Sequence, residues 1–270
     1  MLREILTAVR PSQWYKNLVL FAGVIFAGDL FDFTLFVRAS FAFAIFCLLS
    51  GAGYIVNDIA DRASDSLHPE KSKRPIASGK ITVSSALILS TLFFTIGNVL
   101  AFFLSSEFGF CALSYCILTG VYSLLLKKKV LIDVISISMG FVIRAIAGAV
   151  VIEVYISPWL ILCAFMLALF LALSKRKREE SPFYEPQVLD FFLSVTTALV
   201  IMSYSLYTFL RASQEMMVTI PLVLYGLFRF LQLSFEKGSA RTELFFSDRG
   251  LVATLILWVF LVTVIIYVFE

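Results

Sequence analysis

Asn57, Asp58, Asp61 and Asp65 fall within nine consecutive residues. On a helix Asn57, Asp61 and Asp65 recur at i, i+4 and i+8, with Asp58 one position round, so hard oxygen ligands gather towards one side. Magnesium prefers such ligands and is usually held by one or two carboxylates together with substrate phosphates. A basic run follows, carrying Lys71, Lys73 and Arg74 within residues 68–79. Carboxylates a turn apart beside a belt of cations outline a site for Mg2+ and a diphosphate, with Asn57, Asp58, Asp61 and Asp65 as the metal set. A solvated acidic helix end that merely marks a membrane boundary is the plainer alternative. The density of the cluster and the cations beside it favour metal binding. His68, the single histidine, precedes Pro69 and is expected to shape the loop or accept hydrogen bonds rather than bind metal.

The elements that must hold this cluster are membrane helices. The chain is 60% hydrophobic and 15% charged over 270 residues, far too apolar for a soluble domain. A membrane span needs about 17–25 mostly apolar residues. That ruler gives nine segments, near 14–29, 34–57, 82–105, 108–126, 130–152, 157–174, 188–210, 217–235 and 249–269. The first is the shortest in apolar core and could be tilted or re-entrant. Lys and Arg should collect on the cytoplasmic side. Placing the N-terminus inside puts Arg3, Arg10 and Lys16, then Lys71, Lys73, Arg74 and Lys80, then Lys127, Lys128 and Lys129 on that side. Lys175, Arg176, Lys177 and Arg178, and Lys237, Arg241 and Arg249, join them. The opposite loops hold Asp29 and Asp32, Glu107, Glu153, and Arg211 with Glu215. The expectation is an all-α integral membrane protein: one polytopic domain over 1–270, nine spans, N-terminus cytoplasmic and C-terminus extracytoplasmic.

Every long polar loop then lies on one face, as expected of an enzyme acting on lipid from the cytoplasm rather than a transporter with two gates. Net charge is only +3, and the cations are assigned to phosphate and lipid partners, not to nucleic acid. Cys47, Cys111, Cys116 and Cys163 lie in apolar stretches without zinc-site or disulfide spacing. The N-terminus carries no small-residue cleavage site, so no removable signal peptide is expected. Asp133 and Arg144, eleven positions apart in an apolar segment, are expected to face a cavity or a partner, because charge in hydrocarbon is costly. Asp133 is read as a metal or ribose-hydroxyl contact, and Arg144 as a phosphate contact or internal ion-pair partner. Of the three lysines at 127–129, Lys127 follows its span most directly and is the one expected to reach a phosphate.

The string NDIADRASDSLHPEKSKRPIASG, residues 57–79, resembles the NDxxDxxxD motif of the UbiA-type prenyltransferase superfamily. More narrowly it is similar to the decaprenyl-phosphate phosphoribosyltransferase branch, in which HPxKxxRPIASG is typical. Arg10 through Asn17 is similar to that branch's RPxQWxKN opening. Asp133 with the stretch 140–149, and Lys175-Arg176, match further. The likeness covers about the first two thirds of the chain; beyond 188 it is mainly hydropathy, with Arg229 and Asp248-Arg249 as weaker echoes. It implies nine transmembrane helices around a central cavity open to the cytoplasm, in the inner (cytoplasmic) membrane.

The resemblance implies transfer of 5-phosphoribose from phosphoribosyl pyrophosphate to a polyprenyl (decaprenyl) phosphate, releasing pyrophosphate, for cell-envelope glycan precursors. Asp58, Asp61 and Asp65 would be catalytic; Lys16, Asn17, Asn57, Lys73, Arg74, Lys127, Asp133, Arg144, Lys175 and Arg176 would bind substrate, the first two on the likeness alone. Ordinary aromatic prenyltransferases carry a second aspartate-rich motif after the sixth helix, where this chain has Lys175-Arg176-Lys177-Arg178. A basic loop suits substrates with more phosphate. The alternative is transfer of a prenyl group from a prenyl diphosphate to an aromatic or glycerol-phosphate acceptor. Membrane lipids are expected neighbours, and the sequence leaves association with further copies of the chain open.

Overall fold

The computed structural model describes residues 2–155, 157–179, 183–210, 212–235 and 248–269; Arg211, Lys237 and Arg241, named above, lie outside them. All regular structure among the described residues is helical. The α-helices are α1 (Leu2–Val9), α2 (Ala22–Phe26), α3 (Phe33–Ser66), α4 (Val83–Leu104), α5 (Ser106–Val121), α6 (Ile132–Val151), α7 (Pro158–Arg178), α8 (Pro186–Leu210), α9 (Ile220–Phe235) and α10 (Arg249–Phe269). Among the described residues eight helical segments are long and apolar enough to cross a membrane: α3 to α8, α9 with the 3₁₀ turn before it, and α10. The chain is an integral membrane protein.

The segment expected as a first span, 14–29, is not one continuous α-helix and is not among those eight. It begins as a 3₁₀ helix, Pro11–Phe21, and passes into the five-residue α2 before Gly28 turns the chain with φ 77°. Two contacts account for the departure. Asn17 is turned inward, 1% exposed, to meet polar groups on α3 and α6. The backbone of Leu20 runs so close to Gly148 that a Cβ there would sit 2.1 Å from the Leu20 carbonyl oxygen.

Helix boundaries follow local chemistry. Asp32 accepts from Leu35 N at 3.0 Å, Thr82 from Ser85 N at 3.2 Å and Ser105 from Phe108 N at 3.1 Å, each satisfying a first-turn N–H that the helix cannot. Pro158 and Pro186 start α7 and α8 where a missing N–H costs nothing. α3 has 34 residues, about 50 Å at helical rise, against about 30 Å of hydrocarbon. The helix is therefore longer than the apolar layer is thick.

The chain divides into two compact units, Met1–Ser136 with Gly140–Ile156, and Ile137–Met139 with Ser157–Glu270. In the first, α3 is the spine, packed on α4, α5, α1 and the 3₁₀ segment. Its core holds Leu20, Phe46, Leu49 and Phe108, with the Phe46 ring 5.8 Å from Phe108 and 5.3 Å from Tyr115. In the second, α7 packs mainly on α8, and α9 on α10. There Tyr204 ties three segments together, bonded to Thr219 at 2.6 Å and accepting from Trp258 Nε1 at 2.9 Å.

Candidate active site

The acidic cluster at the end of α3 is a double row. At about 100° per residue, Asp65 lies about 80° from Asn57 but only about 20° from Asp58. The i, i+4, i+8 stack expected from the spacing thus resolves into two pairs, Asn57 with Asp61 and Asp58 with Asp65. Asn57 Nδ2 donates to Asp61 Oδ2 at 3.1 Å. Lys127 reaches this pair from the end of α5, where a π-helical turn, Tyr122–Leu126, delivers it inward. Its Nζ donates to Asp61 Oδ1 at 2.5 Å and to Asn57 Oδ1 at 3.4 Å, while Lys128 and Lys129 are exposed.

Asp58 and Asp65 are nearly enclosed, 2% and 4% exposed. Arg74 bridges them, donating from Nη1 to Asp65 Oδ2 at 2.6 Å and to Asp58 Oδ1 at 3.3 Å. Asp58 also receives the guanidinium of Arg10. Arg10 has left-handed backbone, φ 53° and ψ 66°, immediately before Pro11. That conformation is disfavoured for a residue with a Cβ and again before proline. It reverses the chain between α1 and the 3₁₀ helix and lays the guanidinium 5.2 Å over the Tyr54 ring.

The loop bearing Arg74 is shaped by His68, whose Nδ1 accepts from Glu70 N at 3.2 Å and Lys71 N at 3.3 Å. That nitrogen is thereby occupied, leaving the donor set at this end of α3 made of hard oxygens. Such a set fits magnesium, which completes its shell with water and phosphate oxygen. Among the described residues no three His, Cys, Asp or Glu side chains converge on a common point for a metal; the cations lie among the carboxylates instead.

Other residues singled out in the sequence distribute as follows. Lys73 points outward and pairs with Glu70 at 3.1 Å, apart from the carboxylates. Lys16 is half-buried on the 3₁₀ helix, and Asp133 is buried in the first turn of α6. Arg144, 6% exposed, donates from Nε to Asn17 Oδ1 at 2.7 Å, from Nη1 to Gly140 O at 2.9 Å and from Nη2 to Tyr115 OH at 2.7 Å. Its guanidinium lies 4.5 Å from the Tyr115 ring centroid. Asn17 Nδ2 in turn donates to Ser50 Oγ at 3.1 Å, joining α3, α5, α6 and the 3₁₀ helix. Lys175 and Arg176 end α7 in the second unit, both beside Glu179, at 3.6 and 3.0 Å. Arg229 pairs at 2.7 Å with Asp248, which also caps α10 through Leu251 N at 2.9 Å and is held below its ordinary carboxylate value by that guanidinium.

Sequence reasoning passed over Arg10 and Tyr115. The usable signal for Arg10 was its place before Pro11 in the opening motif; for Tyr115 there was none beyond its neighbourhood of apolar residues.

Residues 18–248 match the family model for the UbiA prenyltransferase family. The chain belongs to that family. It is an enzyme of the transferase kind that the family comprises. A decaprenyl-phosphate phosphoribosyltransferase of Mycolicibacterium smegmatis is 30% identical over 80% of this chain and 73% of its own. One of Corynebacterium glutamicum is 28% identical over 97% of this chain and 86% of its own. Among solved structures, a UbiA homologue from Archaeoglobus fulgidus bound to DMAPP and Mg2+ superposes with a TM-score of 0.80 over 98% of this chain and 99% of that one, at 19% identity. At that identity the likeness speaks for the fold.

Proposed function

We propose that this protein transfers 5-phosphoribose from phosphoribosyl pyrophosphate to a polyprenyl phosphate. The observation that carries the reading is the interleaving of Asp58, Asp61 and Asp65 with Arg10, Arg74 and Lys127 at one end of α3. It is supported by the relatives named above. The carboxylates and Asn57 would hold Mg2+ with the diphosphate, and Arg74 and Lys127 would take phosphate oxygens. The chemistry supplied by Mg2+ when bound is neutralisation of the departing pyrophosphate. A phosphate oxygen of the lipid attacks the anomeric carbon as the bond to pyrophosphate breaks. The attacking group is already an anion, so no general base is needed, in keeping with a single histidine committed to loop structure. Rate enhancement then comes from positioning and charge placement.

The reading places the site on the cytoplasmic face of the inner membrane, with nine crossings. Arg10 lies beside Asp58, whereas Asp32 starts α3 about 38 Å away along the helix. Residues 11–32 must cover that length. Eleven 3₁₀ residues and five α residues advance about 30 Å, enough for hydrocarbon because 3₁₀ rise is longer. The acceptor's isoprenoid tail belongs in the bilayer, and the product would serve envelope glycan synthesis.

A second reading, prenyl transfer from a prenyl diphosphate, is favoured by the family's name and by the DMAPP in the A. fulgidus homologue. Purified protein given radiolabelled phosphoribosyl pyrophosphate, Mg2+ and polyprenyl phosphate should move label into the organic phase. Transfer seen only with a prenyl diphosphate and an aromatic acceptor would replace the first reading with the second.

A further inference from the structure

The three carboxylates of the cluster are matched by three cations. Asp58 takes Arg10 and Arg74, Asp65 takes Arg74, and Asp61 takes Lys127. Those oxygens are the ones a divalent ion would use, and no three acidic side chains among the described residues are left pointing at a common centre. A metal arriving alone must displace half-buried guanidinium and ammonium groups from the carboxylates they pair with. A metal arriving with a diphosphate brings an anion, and each displaced cation passes from a carboxylate to a phosphate oxygen at similar bond strength.

We propose that Arg10, Arg74 and Lys127 are exchangeable counter-ions that hold the carboxylates against free metal and release them only when diphosphate enters with it. Arg10 is the principal guard of Asp58, the more enclosed carboxylate. Its side chain is a quarter exposed and arrives from a separate segment, 48 residues away in sequence, so it can swing off without unwinding α3. The left-handed backbone at Arg10 fixes where the side chain starts. Metal affinity and diphosphate affinity are therefore coupled, and the coupling is reciprocal. This inference rests on the functional reading above, in that it takes the α3 carboxylates as the metal ligands.

The test is Mn2+ binding to purified protein in detergent, measured by equilibrium dialysis so that protein-bound ion is counted apart from free Mn2+ and soluble Mn2+–pyrophosphate, with and without inorganic pyrophosphate. Arg10→Gln removes the charge at nearly constant length. It should bind Mn2+ alone more tightly than the parent, by about tenfold for one charge-assisted bond no longer displaced. Its enhancement by pyrophosphate should shrink by a similar factor. Arg10→Lys, which keeps the charge, should stay near the parent in both conditions. A purely structural Arg10 would give the opposite sign, since a loosened site binds metal more weakly. If Arg10→Gln binds Mn2+ no more tightly while Asp58→Asn abolishes binding in the presence of pyrophosphate, the guard is refuted and the metal role of the aspartates stands. Equal tightening by Arg10→Lys would also refute it. If Asp58→Asn and Asp61→Asn leave Mn2+ binding with pyrophosphate unchanged, both the guard and the functional reading fall.

Discussion

Arg74→Ala removes a guanidinium that two enclosed carboxylates share. The 2.6 Å contact with Asp65 is a charge-assisted bond, worth about 1.5–3 kcal/mol. The 3.3 Å contact with Asp58 is at the long edge of hydrogen-bond geometry and adds about 0.5 kcal/mol at most. Asp58 keeps Arg10, whereas Arg74 is the one cation within ion-pair distance of Asp65 among the described residues. The expected loss of stability is therefore about 2–3 kcal/mol, nearly all of it from stranding Asp65. Asp65→Asn alone should cost about 1–2 kcal/mol, because Arg74 retains Asp58. In the double variant no charge is stranded, so its cost should fall short of the sum of the singles by about 1–2 kcal/mol. Equilibrium unfolding by dodecyl sulfate titration in mixed micelles measures all three. Additivity within about 0.5 kcal/mol would refute the claim that Arg74 is the counter-ion of Asp65.

Gly148→Ala would place a Cβ 2.1 Å from the Leu20 carbonyl oxygen; it should destabilise by about 1–3 kcal/mol in the same titration, and an unchanged midpoint would contradict the close approach. His68→Asn, which can still accept the Glu70 and Lys71 amides, should keep most activity, whereas His68→Ala should raise KM for the phosphorylated donor as the Arg74 loop loosens. Equal kinetics for the two would remove His68 from loop shaping. Lys175→Ala and Arg176→Ala should raise KM for that donor if the basic end of α7 takes phosphate, and unchanged kinetics would assign both to membrane topology. Asp248 has its folded value lowered by Arg229, so its contribution is present above the ordinary carboxylate value of 3.8 and lost as pH falls through the lower folded value. Asp248→Asn should flatten that acid limb of the unfolding profile, and an unaltered limb would contradict the pairing.

The sequence made the spine of the site readable because helical spacing is local. Asn57 to Asp65 needed only a period of 3.6 to be placed on one helix end, and the mean hydropathy of the flanking stretches was enough to put that helix in a membrane. The same period, carried to eight residues, over-extended the stack: Asp65 drifted from Asn57 to Asp58, a distinction of about 80° that spacing by eye misses. Lys127 was legible from its place at the end of a span. Arg10 was not, because its contact with Asp58 spans 48 residues and depends on a left-handed turn that nothing in its residue type announces. The 3₁₀ path of Pro11–Phe21 was hidden for a related reason. It is set by Asn17 meeting Ser50 and Arg144 and by the glycine contact at Leu20, all tertiary. Arg144 was flagged by its charge in an apolar helix, but its neutral partners Asn17, Gly140 and Tyr115 could be named only from coordinates.

The most direct measurement is an experimental structure of the protein with phosphoribosyl pyrophosphate and Mg2+ in lipid nanodiscs. The account predicts diphosphate density at the end of α3, metal ions on Asp58, Asp61 or Asp65, and Arg74 and Lys127 moved from carboxylate to phosphate oxygen. A sugar diphosphate lodged elsewhere, with those ion pairs still closed, would contradict it.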